Sequence, residues 1–199
     1  MFQGLVETVT ASAWVYPLIL AVAAIDAVFP LVPSEATVIA AAALAGSGEL
    51  GLGPVLLAGA AGAIAGDNAA YAIGRAGRGW AFGRIARSPA WTRRFERAQE
   101  QLRRRGGTVI VVSRFVPGGR TATMLSAGIA GLGWRRFAAF DVVAGIVWAL
   151  YAGAVGWAGG RAAADRPLLA LLLAFALAGA LTLLIEMGRR AHGRFAGAR

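Results

Sequence analysis

The sequence predicts an all-α polytopic membrane protein. It should be an inverted repeat with two opposed re-entrant helical hairpins, about four transmembrane helices and one cytoplasmic amphipathic helix. Three observations predict this. Of the 199 residues, 58% are hydrophobic and only 15% charged, with a mean hydropathy of +0.63, whereas a soluble domain is about a quarter charged. Apolar runs recur at 54–73, 137–158 and 167–187, each close to the ~20 helical residues that cross a hydrocarbon core. Two further apolar stretches are interrupted, one by Pro30 and Pro33 and the other by Pro117-Gly118-Gly119.

Composition excludes several function classes. A chain of this length is too short to bury three such runs as the core helices of a soluble protein. It has no cysteine, so disulfides, thiol chemistry and cysteine metal sites are out of reach. All 20 basic residues are arginine, and the net charge is +10. In a membrane protein that charge reports topology before it suggests nucleic acid, which is not an expected partner. The one histidine, His192, lies in a basic tail. No nucleophile–base pair and no metal-ligand spacing is visible, so neither enzyme chemistry, nor a metal, nor another cofactor is expected.

Arginine placement sets the expected orientation. Ten arginines between Arg75 and Arg105 face two glutamates, Glu96 and Glu100, and the tail adds Arg189, Arg190, Arg194 and Arg199. Both segments belong in the cytoplasm by the positive-inside rule. The loop 47–53 carries only Glu49, and the turn 161–166 is nearly balanced, as suits the outer side. A first helix over about 12–28 then runs outward, 54–73 inward, 137–158 outward and 167–187 inward. Both termini are cytoplasmic, in the inner membrane of a bacterial cell. No arginine precedes Arg75, so the start lacks the basic region of a cleavable signal and is expected to be retained.

On this reading residues 1–199 form a single membrane domain. The first repeat covers 12–78 with a hairpin at 29–46, and the second covers 107–160 with a hairpin at 108–131. Proline removes a backbone donor and disfavours helix in the residue before it, so each hairpin segment breaks into two arms. Irregular backbone at membrane depth is tolerated inside protein or beside a wet cavity. After each break comes a small-residue helix, 34–45 with Ser34 as its N-cap, and 121–130. Between the repeats, 88–106 carries Trp91, Phe95, Ala98 and Leu102 at helical spacing with arginines opposite, the pattern of an amphipathic surface helix. The C-terminal transmembrane helix is 167–187 and the basic tail 188–199.

The repeat rests on sparse matches. Val32-Pro33-Ser34-Glu35 leads to Ala45-Gly46, as Val116-Pro117-Gly118-Gly119-Arg120 leads to Ala130-Gly131. Ala65-Gly66, Tyr71-Ala72 and Gly74 match Ala144-Gly145, Tyr151-Ala152 and Gly153. Glu35 and Arg120 then occupy corresponding places, one per hairpin.

Ionisable groups at membrane depth are costly and mark function by default. The principal candidates are Asp26 and Glu35 around the first break, and Arg114 and Arg120 around the second. Guanidinium forks onto phosphate or carboxylate, while the carboxylates can exchange protons. Those four sum to zero charge. Asp67 is expected to bind a hairpin backbone among packing glycines, and Asp141, beside Arg135 and Arg136, to be structural. Pro33, Pro117, Gly118 and Gly119 shape the hairpin tips.

These residues resemble the DedA family, bacterial relatives of the eukaryotic VTT-domain lipid scramblases, over roughly 12–160. The most specific part is Arg114-Phe115-Val116-Pro117-Gly118-Gly119-Arg120. Gly66-Asp67 with Tyr71 and Gly74-Arg75 is similar to the family's middle motif, and Pro33-Ser34-Glu35 to its first hairpin tip. The resemblance implies a lipid transporter, or flippase, linked to the proton-motive force. Its cargo would be a phosphate-bearing membrane lipid, undecaprenyl phosphate or a phospholipid, and Asp26, Glu35, Arg114 and Arg120 would be the essential positions. Expected partners are the lipid bilayer, that lipid and protons, with a homo-oligomer left open. Two rivals remain: a proton-coupled small-ion transporter, and a structural or assembly protein that uses its charges to stay folded.

Overall fold

The computed structural model describes residues 14–29, 33–85, 87, 89–114 and 119–162. The expected helix 167–187, the tail 188–199, His192, Pro117 and Gly118 lie outside the described residues, as do the side chains of Trp91, Phe95 and Ala98. Among the described residues every regular element is helical: α1 (Val15–Val28), α2 (Ser34–Gly46), α3 (Leu52–Ala76), α4 (Arg78–Ile85), α5 (Pro89–Ser113), α6 (Gly119–Ala130) and α7 (Trp134–Ala162).

The helices stop and restart on either side of both proline-bearing segments: α1 ends at Val28 and α2 begins at Ser34, and α5 ends at Ser113 and α6 begins at Gly119. The first break, however, has no separate incoming arm, because α1 itself runs up to it. The expected boundary between the amphipathic helix and the second hairpin is a kink at Arg105 (φ −121°, ψ 17°) inside a continuous α5. Gly107 follows, where a Cβ would lie 2.3 Å from the Phe140 ring.

Ser34 is not the N-cap of α2. Pro33 holds that position, and no side chain caps the helix. The Ser34 hydroxyl instead donates to the Asp26 carboxylate, a charge-assisted hydrogen bond.

The two short helices end alike. Gly48 (φ 91°) and Gly131 (φ 75°) take the left-handed conformation. Beyond them the Glu49 amide donates to the Leu44 carbonyl at 2.9 Å, and the Leu132 amide to the Ala127 carbonyl at 3.1 Å. Both are Schellman closures, which require φ > 0 at a position glycine accepts without strain. The stop glycine of α2 is therefore Gly48 rather than Gly46.

Each short helix packs on the long helix of the other half, α2 on α7 and α6 on α3. Glycines permit the close approach. A Cβ at Gly156 would meet the Ile39 carbonyl oxygen at 2.3 Å, and one at Gly74 the Leu125 carbonyl oxygen at 2.2 Å. Small residues at crossings are how helices associate when the surroundings are themselves apolar.

The buried apolar residues form two clusters, one around Ile19, Val38, Val55 and Trp148, the other around Tyr71, Ile110, Met124 and Phe137. Asp67 lies on α3 between Ala63 of the first and Ala70 of the second. The exterior is apolar as well: Leu18, Leu57, Val143 and Leu150 are all more than half exposed. So much outward apolar surface suits lipid rather than water.

Among the described residues α7 alone is both long and apolar enough to cross a bilayer by itself. α3 has the length, 25 residues or about 37 Å, but Asp67 and Asn68 interrupt its apolar run.

Candidate functional site

Asp26 stands in the last turn of α1 and Arg120 in the first turn of α6. Both are at the wrong end for the helix macrodipole, which favours anions at N-termini and cations at C-termini by about 0.3–1 kcal/mol. Helix stability therefore does not explain either charge. They find each other: Arg120 Nη1 lies 3.4 Å from Asp26 Oδ2, with the side chains 12% and 20% exposed. Ser34 Oγ donates to that same oxygen, and Thr121 Oγ1 donates to the Ala27 carbonyl at 2.9 Å, tying α6 to the end of α1.

The centre of the site is Asp67, fully buried in mid-α3. Its Oδ1 accepts from Arg120 Nε at 2.7 Å, and its Oδ2 accepts from Arg114 Nη2. Arg120 Nη2 also donates to the Ala63 carbonyl at 3.0 Å, and its guanidinium lies 6.0 Å from the Trp148 ring centroid.

Arg114, directly after α5, has a side chain only 1% exposed. The same Nη2 donates to Asp141 Oδ1 at 2.7 Å. Gly145 lies beside it: a Cβ there would stand in ordinary contact with Nη2 at 3.5 Å and would crowd Ile64 Cγ1 at 2.8 Å. Asp141, fully buried on α7, accepts at Oδ2 from Asn68 Nδ2 at 3.0 Å. Asn68 Oδ1 in turn accepts from the indole of exposed Trp134 at 2.9 Å. A continuous polar chain thus runs from Ser34 through Asp26, Arg120, Asp67, Arg114, Asp141 and Asn68 to Trp134.

Of the four principal candidates the structure joins three: Asp26 and Arg120 directly, and Arg114 through Asp67. Glu35 is apart. It occupies the second position of α2, as Arg120 does of α6, but it is exposed and makes no hydrogen bond or ion pair with any described residue. Its place in the first turn of α2 is the favourable one for a carboxylate. Asp67 binds two guanidiniums rather than a hairpin backbone, because α3 crosses α6 where Arg120 can reach it. Asp141 is not paired with Arg135 or Arg136, which are exposed while it points inward. Pro33 precedes α2 and accepts from Thr37 Oγ1 at 3.2 Å, and Gly119 opens α6.

Sequence reasoning missed the Ser34 hydroxyl, Asn68 and Trp134. One signal was present for Asn68: two adjacent polar residues, Asp67-Asn68, inside an otherwise apolar run.

Three carboxylates (Asp26, Asp67, Asp141) meet two guanidiniums (Arg114, Arg120), a formal sum of −1. Nε and Nη1 of Arg114 are buried with no hydrogen-bond partner among the described residues. Chemically, this assembly can bind an anion on spare guanidinium donors and can take up a proton on a carboxylate.

The VTT domain, as a family pattern, matches residues 32–158. An uncharacterized membrane protein of Synechocystis sp. is 30% identical over 128 residues, which cover 59% of this chain and 55% of that protein. Protein DedA of Escherichia coli K12 is 29% identical over 153 residues, 70% of this chain and 68% of DedA. The match therefore spans about half the length of the Synechocystis relative. No solved structure matches this chain. With such relatives and an apolar helical exterior, the chain is a membrane protein.

Proposed function

We propose, for a chain that belongs to the VTT-domain (DedA) family, that it is a flippase for a phosphate-bearing lipid such as undecaprenyl phosphate or a phospholipid. Family membership carries a membrane transporter-like role; the lipid, the direction and the energy source are our reading. Arg114 and Arg120 bind the lipid phosphate, while Asp26 and Glu35, at the more open end, exchange protons driven by the proton-motive force. The tail stays in lipid, so only the headgroup needs shelter. In this reading α2 and α6 approach from opposite sides of the cytoplasmic membrane, with both termini in the cytoplasm.

The observation that carries this reading is the meeting of two guanidiniums on one buried carboxylate. Paired arginine forks are a common solution for phosphate recognition. Purified chain in liposomes with labelled undecaprenyl phosphate, and separately with labelled phospholipid, tests it. Lipid should cross faster than in empty liposomes, and Arg120→Ala should abolish the gain. Lipid movement unaffected by that substitution would sink the site.

The excess of carboxylate favours one alternative, a proton-coupled small-ion carrier. That reading predicts solute flux in the same liposomes with no lipid movement.

A further inference from the structure

Resting on the lipid-phosphate reading, we propose that the Asp67 carboxylate is a built-in occupant of the anion site. It stands where the cargo phosphate binds, and one proton must reach the cluster for the cargo to displace it.

The geometry is that of a bound anion. Asp67 offers one oxygen to each guanidinium, Oδ1 to Arg120 Nε at 2.7 Å and Oδ2 to Arg114 Nη2. Two oxygens of a phosphate bridge a pair of guanidiniums in the same manner. The other two carboxylates each keep a neutral donor as well, Asp26 from Ser34 and Asp141 from Asn68. Asp67 has guanidinium donors only among the described residues. Its charge depends on those two arginines, and if they turn to a phosphate it is left ionised and unpaired in a buried place.

The charge count gives the same answer. The cluster sums to −1 before any cargo arrives, and a phosphate adds at least one more negative charge. One proton on Asp67 brings the empty cluster to zero and loosens its hold on both guanidiniums, Arg114 keeping Asp141 and Arg120 keeping Asp26. Asp141 lies close by, since it shares Arg114 Nη2 with Asp67. Receiving donors are also present. Arg114 Nε and Nη1 belong to a side chain 1% exposed and have no partner among the described residues.

The charged groups around Asp67 are Asp26 from α1, Arg114 after α5, Arg120 from α6 and Asp141 from α7. The one charged residue of α2, Glu35, makes no bond to it; on α3 itself Arg75 is bonded to Tyr71 instead, and α4 follows that far end of the helix.

The test is calorimetric titration of the full chain in neutral detergent with decyl phosphate, and separately with inorganic phosphate. Buffers of different ionisation enthalpy count the protons. Decyl phosphate should bind with uptake of about one proton, and more tightly as pH falls. Asp67→Asn should bind it roughly tenfold tighter at neutral pH, without proton uptake.

Binding by the unaltered chain with no proton uptake overturns the proposal, whatever becomes of the variant. So does a folded Asp67→Asn chain that binds no tighter. No binding of either probe at any pH overturns the lipid-phosphate reading and this inference together. Equal affinity for the two probes keeps Asp67 as the occupant but makes the cargo a free phosphate.

Discussion

Arg114 and Arg120 flank the same break and share Asp67, yet they live in different surroundings. Arg114 is 1% exposed, sits between two fully buried carboxylates and touches no solvent-facing acid. Arg120 is 12% exposed, and its second partner, Asp26, is 20% exposed and 3.4 Å away. The first arrangement resembles a buried ion triad, in which losing one member strands the others. The second is looser, near the break, and built at helix ends that disfavour its charges. The difference grades one site: the closed end is the harder to take apart, and the open end is where partners change first.

The largest expected effect breaks the closed end. Arg114→Ala leaves Asp67 and Asp141 buried and short of a counter-charge, and should cost about 3–5 kcal/mol of stability. The melting temperature of the purified chain in detergent measures it. A loss no larger than that of Arg120→Ala would erase the distinction between the two ends of the site.

Arg120→Ala should cost less, about 1–3 kcal/mol, because Asp26 keeps Ser34 and partial solvent access. It should nonetheless abolish lipid movement in liposomes. The two substitutions thus differ in which readout they affect most.

Smaller again is Ser34→Ala, which removes one hydrogen bond to the Asp26 carboxylate and should cost about 1–2 kcal/mol. The same melting experiment reads it. A double-mutant cycle with Arg120→Ala should show coupling, since both groups meet on Asp26 Oδ2.

The smallest is Glu35→Gln, expected to change stability by about 0.5 kcal/mol, the worth of a carboxylate in the first turn of a helix. A loss as large as that of Arg120→Ala would mean that Glu35 belongs to the network after all.

Much of this fold is legible in the residues. Proline marks both breaks and Gly131 the stop of α6, because φ and the missing amide act locally, whereas α2 passes Gly46 and closes at Gly48. The kink at Arg105 coincides with the change from an arginine-rich to an apolar stretch. The charged positions were legible too, since an ionisable group in an apolar run stands out regardless of its partner.

Partner choice was not legible. Ser34 and Glu35 are neighbours, but successive helical residues point about 100° apart, so one faces Asp26 and the other faces outward. Nothing in the local sequence says which. Likewise, whether Arg114 meets Glu35, Asp67 or Asp141 depends on where α3 and α7 cross, and those crossings are set by glycines such as Gly74 and Gly156 letting backbones touch. The sequence by itself determined the helices, their interruptions and the inventory of buried charge. Only the tertiary structure decided that three carboxylates rather than two gather on the guanidiniums, with Asp67 at the centre, because pairing follows the rotation and crossing of whole helices.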